Sequence, residues 1–156
     1  MFFFPFRDDN PTSIRPYISW LLIILCSLIF FYQMGLNQID FNNFVRSFGI
    51  TPVKLINNIN NQWFTIISSM FVHGNISHLI GNMVYLWIFG DNIEDSFGKV
   101  RFIIFYLLCG FAAVFAQILY DPSSPVPMIG ASGAIAGVLG AYLIMYPRAK
   151  IWVFMW

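Results

Sequence analysis

The sequence is poor in charge. Asp, Glu, Lys and Arg make up 10% of its 156 residues, where an ordinary soluble domain carries about 25%. The charges also nearly cancel, leaving a net charge of +1. That excludes the basic field a nucleic-acid partner needs and any strongly acidic surface. Histidine and cysteine occur twice each. Cys26 and Cys109 both stand inside apolar runs, where a free thiol behaves as a small hydrophobe, so neither a disulfide framework nor a metal cluster is expected. No metal or organic cofactor is implied. No small-residue cleavage site follows the first apolar run, so a cleaved signal peptide is not expected.

What the chain has instead is apolar surface. Hydrophobic residues make up 58%, against about 45–50% in globular chains. A soluble domain of this size cannot hide that much, whereas a bilayer is itself an apolar solvent. Four runs stand out: Tyr17–Met34, Ile76–Phe89, Phe102–Tyr120 and Met128–Tyr146. A fifth, IWVFMW, begins at Ile151. The second run is short and needs flanking residues such as Phe71 and Val72 to span. The expected architecture is all-α: a polytopic membrane bundle of four transmembrane helices plus the start of a fifth, with residues 1–156 forming one membrane domain. Residues 1–16 are expected to be a cytoplasmic segment. Residues 35–62 are expected to be a long outer loop with short interfacial helices.

Orientation follows from the basic residues. Numbered by alternation, Arg7, Arg15, Lys99, Arg101, Arg148 and Lys150 fall on the N-terminal side, and Arg46 and Lys54 on the other. Basic residues concentrate in the cytoplasm. The N-terminus is therefore expected inside, and the segments 35–62 and DPSSPVP outside.

Polar residues at membrane depth are costly, so they are candidates for function. His78 and Asn82 are four residues apart, on one face of the second helix. Ser132 lies near the start of the fourth, in GASGAIAG. By depth from the outer surface all three fall at one level. Each also has a plain alternative. Gly133 and Gly137 form a small-xxx-small face that lets helices approach. His78 and Asn82 can serve as interhelical hydrogen-bond partners. His73 reads as a cap or interface residue, and Glu94 and Asp95 as a solvated loop or a helix-end contact. The conjunction favours chemistry. A serine at a helix start lies beside unpaired N–H groups and the positive end of the dipole, where an oxyanion is stabilised. Glycines beside it, Gly130 and Gly133, leave room for a substrate backbone.

The segments HGNISHLIGN (His73–Asn82), GDNIEDSFG and IGASGAIAGVLGAY together resemble the rhomboid family of intramembrane serine proteases, from about Pro5 to the end of the chain. The resemblance implies a six-helix bundle around a wet cavity on the outer side, acting on transmembrane segments of other proteins in the bilayer. It implies Ser132 as nucleophile, His78 and Asn82 lining the oxyanion hole with the Ser132 N–H, and a more structural part for His73. A bacterial inner membrane is the expected location. Two positions depart from the family. Trp63 is followed by Phe64 where the family often has Trp-Arg. The family's general base is a histidine on a sixth helix, yet His73 and His78 both fall on helix two. A serine hydroxyl is a weak nucleophile without a base. The chain therefore reads either as the N-terminal portion of a protease or as an inactive relative with a binding or regulatory role.

Overall fold

The computed structural model describes residues 3–155, and these are mostly helical. Helix α1 (Tyr17–Met34) coincides with the first apolar run. Helices α6 (Ile76–Phe97) and α7 (Lys99–Tyr120) contain the second and third, and α8 (Ser132–Met145) takes up the fourth except for residues 128–131 and Tyr146. By length and apolar composition, α1 and α7 can each cross a membrane. The 22 residues of α6 reach about 33 Å at 1.5 Å per residue, but its last turns carry Asp91, Glu94 and Asp95. The 14 residues of α8 give about 21 Å, against a hydrocarbon core of roughly 30 Å.

Helix α6 packs between α1 and α8, and α8 packs on α7. Leu86, Phe89, Phe102, Tyr106, Val138 and Tyr142 form the shared core. The α7–α8 contact depends on missing side chains. A β-carbon on Gly133 would stand 2.5 Å from Cβ of Ala113, and one on Gly137 would overlap Cys109. Small residues at a helix seam let backbones approach where lipid offers no hydrophobic drive for association. The α6–α7 connection is one residue, Gly98, whose φ of +73° suits glycine.

The Gly35–Gln62 excursion holds α2 (Gln38–Phe48), α3 (Pro52–Asn57) and α4 (Ile59–Gln62), followed by α5 (Thr65–Ser68) and a 3₁₀ turn at Ser69–Phe71. Short helices were expected there. Asn37 caps α2 by accepting from the Ile39 and Asp40 N–H groups, each at 3.0 Å.

Glu94 is the helix-end contact rather than the solvated alternative. It is fully buried. Its carboxylate accepts from the Ile18 and Ser19 N–H groups at 3.0 and 2.8 Å, and from the Ser19 hydroxyl at 2.9 Å. The α1 N-terminus has Pro16 as its cap residue and no side-chain cap of its own. A carboxylate from α6 supplies both the missing acceptor and the charge that the helix dipole favours.

One expectation about the chain ends is corrected. Ile151–Met155 does not begin a fifth helix. It forms strand β2, antiparallel to β1 (Phe3–Asp8), with Phe4 opposite Phe154 and Asp8 opposite Ile151. The fold is therefore helical with one two-stranded sheet, not all-α. The reason is compositional: Ile, Trp, Val and Phe suit a pleated surface, and the N-terminal FFPFRD offers a matching strand. Trp156, the last residue of that run, lies outside the described residues. Strand β1 packs beside α6. Phe4 and Phe6 line an apolar cavity with Ile80, Met83 and Trp87.

Candidate active site

The site lies where the start of α8 meets the start of α6. Asn75 opens α6, its side-chain oxygen accepting the His78 N–H at 2.8 Å. One turn of helix then puts His78 and Asn82 on the face toward the DPSSPVP segment. Gly130 is where they converge. A β-carbon built there would stand 2.5 Å from Cε1 and 2.6 Å from Nε2 of His78, and 3.5 Å from the Asn82 side-chain nitrogen. Gly130 also has φ +110°, which disfavours any other residue. Its N–H donates to the Ser69 carbonyl at 2.8 Å.

Two residues on, Ser132 starts α8. The Ile135 N–H makes the first helical bond, to the Ala131 carbonyl at 2.9 Å. The N–H groups of Ser132, Gly133 and Ala134 precede that bond and point out of the helix end, the arrangement that receives an anion. The Ser132 side chain is exposed and lines a cavity of about 140 Å³ with Ile50, Met70, Val114, Met128 and Gly130. Residues of α7 and α8 line it together with Ile50, Ser69 and Met70, whereas His78 and Asn82 lie against Gly130.

Asn82 is buried, and among the described residues its side-chain nitrogen has no hydrogen-bond partner. An unpaired buried donor costs about 1–3 kcal/mol. It faces the Gly130 backbone. His73 is fully buried. Its Nδ1–H donates to the Phe71 carbonyl at 3.3 Å, and its ring lies edge-on to His78 with centroids 5.2 Å apart. It supports the His78 ring and does not cap the helix, since Asn75 does. Neither histidine is hydrogen-bonded to Ser132 among the described residues.

Two features were not read from the sequence. Gln33, buried near the end of α1, grips the His73 backbone: its Nε2 donates to the His73 carbonyl at 3.0 Å, and its Oε1 accepts the His73 N–H at 3.2 Å. A lone glutamine in an apolar run was the available signal. Ile50 and Met128 exchange two backbone hydrogen bonds at 3.0 and 2.8 Å, a pairing that no local pattern announces.

A helix-start serine thus stands near two polar side chains of a neighbouring helix that converge on Gly130. The Rhomboid domain model matches residues 60–156. The chain is 34% identical to Rhomboid protease GluP of Bacillus subtilis (strain 168) over 130 residues, covering 83% of this chain and 24% of that protein. It is 33% identical over 143 residues to Putative rhomboid protease YdcA of the same organism, covering 89% of this chain and 68% of that one. Rhomboid protein 1, mitochondrial, of Saccharomyces cerevisiae is 35% identical over 95 residues, 58% of this chain and 28% of that protein. The chain belongs to the rhomboid family, whose members are integral membrane proteins. It spans about a quarter of the length of GluP and about two thirds of that of YdcA.

Proposed function

We propose that the complete protein is an intramembrane serine endopeptidase that cleaves transmembrane segments of other membrane proteins. In this reading α1, α6, α7 and α8 are four membrane spans of one domain. Residues 1–16 lie on the cytoplasmic side, and residues 35–62 on the outer side of a bacterial inner membrane. The basic residues support this orientation, six of the chain's eight falling on the inner side.

Ser132 is the nucleophile. Its hydroxyl oxygen attacks the scissile carbonyl, and its proton passes to a histidine base that the protein carries beyond residue 156. The carbonyl electrons move onto the oxygen, which takes hydrogen bonds from the Ser132 N–H, His78 and Asn82. The tetrahedral intermediate then expels the amine, which takes the proton from the base. Water hydrolyses the acyl-serine by the same steps in reverse order. His73 holds the His78 ring, and Gly130 and Gly133 leave room for the substrate backbone.

The carrying observation is the convergence of His78 and Asn82 on Gly130, two residues before an exposed serine at a helix start. A fluorophosphonate probe on the complete protein tests it. Wild type labels at Ser132 and Ser132→Ala does not; equal labelling of both would sink the assignment.

A second reading keeps the fold and drops the chemistry: an inactive rhomboid-like protein with a binding or regulatory role. What favours it is that both histidines within residues 1–156 serve α6 and its leading turn. The coding sequence downstream separates the two. An open frame carrying a Gly-flanked histidine in a sixth apolar run removes the inactive reading, and a stop after residue 156 removes the active one.

A further inference from the structure

The chain carries two outer excursions, 35–62 and 121–131, which meet at a pairing of Ile50 with Met128 and at a bond from the Val53 N–H to the Ser124 carbonyl at 3.3 Å. Ile50 donates its N–H to the Met128 carbonyl at 3.0 Å and accepts the Met128 N–H at 2.8 Å. The two residues form an isolated antiparallel bridge. Two residues further on, the Gly130 N–H is held by the Ser69 carbonyl at 2.8 Å. Alternate residues of an extended segment point their hydrogen-bonding groups the same way. Met128 and Gly130 are therefore pinned along one edge, by Ile50 and by Ser69.

The pinning is tight. Gly49 lies against the same segment. A β-carbon there would stand 2.8 Å from Cγ2 of Ile129, 3.2 Å from the Met128 carbonyl oxygen and 2.5 Å from the Val45 carbonyl oxygen. The Ile50 side chain is 1% exposed and lines the cavity that Ser132 also lines. Gly49 is in turn anchored to the end of α2, its N–H donating to the Val45 carbonyl at 2.8 Å. The amphipathic helix of the outer excursion is thus connected by two residues to the strand that delivers Gly130 and Ser132.

We infer that the Ile50–Met128 bridge, backed by Gly49, is a positioning device that sets the Met128–Gly130 backbone behind the nucleophile and so governs turnover. The inference rests on the serine-protease reading above. Ile50 and Gly49 touch no reacting atom and act through Gly130. Catalytic geometry is sensitive at this scale, since a misplacement of about 1 Å can cost on the order of 10²-fold in rate.

The test uses the complete protein in lipid, with a cleavable transmembrane substrate. Active Ser132 is counted by fluorophosphonate labelling, so kcat is expressed per labelled serine and misfolded protein drops out. Ile50→Pro removes the N–H that donates to Met128. Gly49→Ala removes no donor or acceptor of the bridge but presses its β-carbon on Ile129, on the Met128 carbonyl and on the Val45 carbonyl, so it displaces the segment. Each should lower kcat by about tenfold or more with KM within about twofold, and the Met128 amide should exchange faster with solvent. Ile50→Val keeps both backbone bonds and should restore kcat to near wild type. If kcat per labelled serine is unchanged in Ile50→Pro and Gly49→Ala, the bridge only supports folding and the inference is overturned. If wild type takes no label at Ser132, the protease reading fails and carries the inference with it.

Discussion

The two ends of the helix bundle handle polar groups in opposite ways. Toward the end where α6 finishes, polar side chains are mostly paired, the buried Tyr106 hydroxyl two turns into α7 being an exception among the described residues. Glu94 takes three hydrogen bonds from the start of α1. Asp95 accepts the Ser13 N–H at 2.6 Å and its hydroxyl at 3.1 Å. Tyr142 donates to Asp8 at 2.6 Å, Asn92 donates to the same carboxylate at 3.0 Å, and Ser96 pairs with Tyr146. At the end where α6 begins, Asn82 and His73 each keep a buried nitrogen without a partner among the described residues, and Ser132 stands exposed. Satisfied polar groups hold helices together. Unsatisfied ones, kept at a cost of about 1–3 kcal/mol each, are affordable only where something else binds.

That contrast can be broken by mutation. Asn82→Ala should give the largest effect on rate, a loss on the order of 10²–10³ in kcat, because one oxyanion donor is gone. Its melting temperature in detergent should hold or rise, since an unpaired buried nitrogen goes with it. A clear fall in melting temperature would show that Asn82 is a packing residue. Glu94→Ala is the mirror image. It removes the buried carboxylate, leaves three donors at the start of α1 without their acceptor, and should destabilise by roughly 3 kcal/mol, while kcat per labelled Ser132 stays put. If activity per labelled serine falls with stability unchanged, the two ends are not divided as described. Gly137→Leu overpacks the α7–α8 seam at Cys109 and should cost about 1–3 kcal/mol, read as a lower midpoint of thermal unfolding. Gln33→Leu should be mildest, about 1–2 kcal/mol for the lost clamp on the His73 backbone. Faster hydrogen exchange at the His73 amide, with slower exchange excluded, is the expected signature.

The features that were legible before folding are those with local causes. Helix α1 has the bounds of its apolar run because nothing charged and no Pro or Gly interrupts residues 17–34. His78 and Asn82 share a face because helix geometry fixes spacing four. Ser132 begins a helix because Gly130, in a left-handed conformation, ends the extended segment before it. What stayed hidden depends on partners far away in the chain. Glu94 looked equally at home in water until α1 brought it an open N-terminus. The Ile50–Met128 bridge joins residues 78 apart by backbone atoms alone, which leave no mark on residue type. The run at Ile151 was ambiguous for a different reason: a short apolar stretch has no periodicity long enough to separate helix from strand, and the answer came from β1 at the other end of the chain.

Gly130 also constrains how this sequence can change over time. The volume its absent side chain would fill is already taken by the His78 imidazole. The histidine motif and the glycine motif, though 52 positions apart, therefore share a single piece of space. Neither can drift alone: a larger residue at 130 evicts the ring, and a shorter one at 78 leaves a void beside Gly130. Natural variation in this lineage should reach the two positions together or not at all.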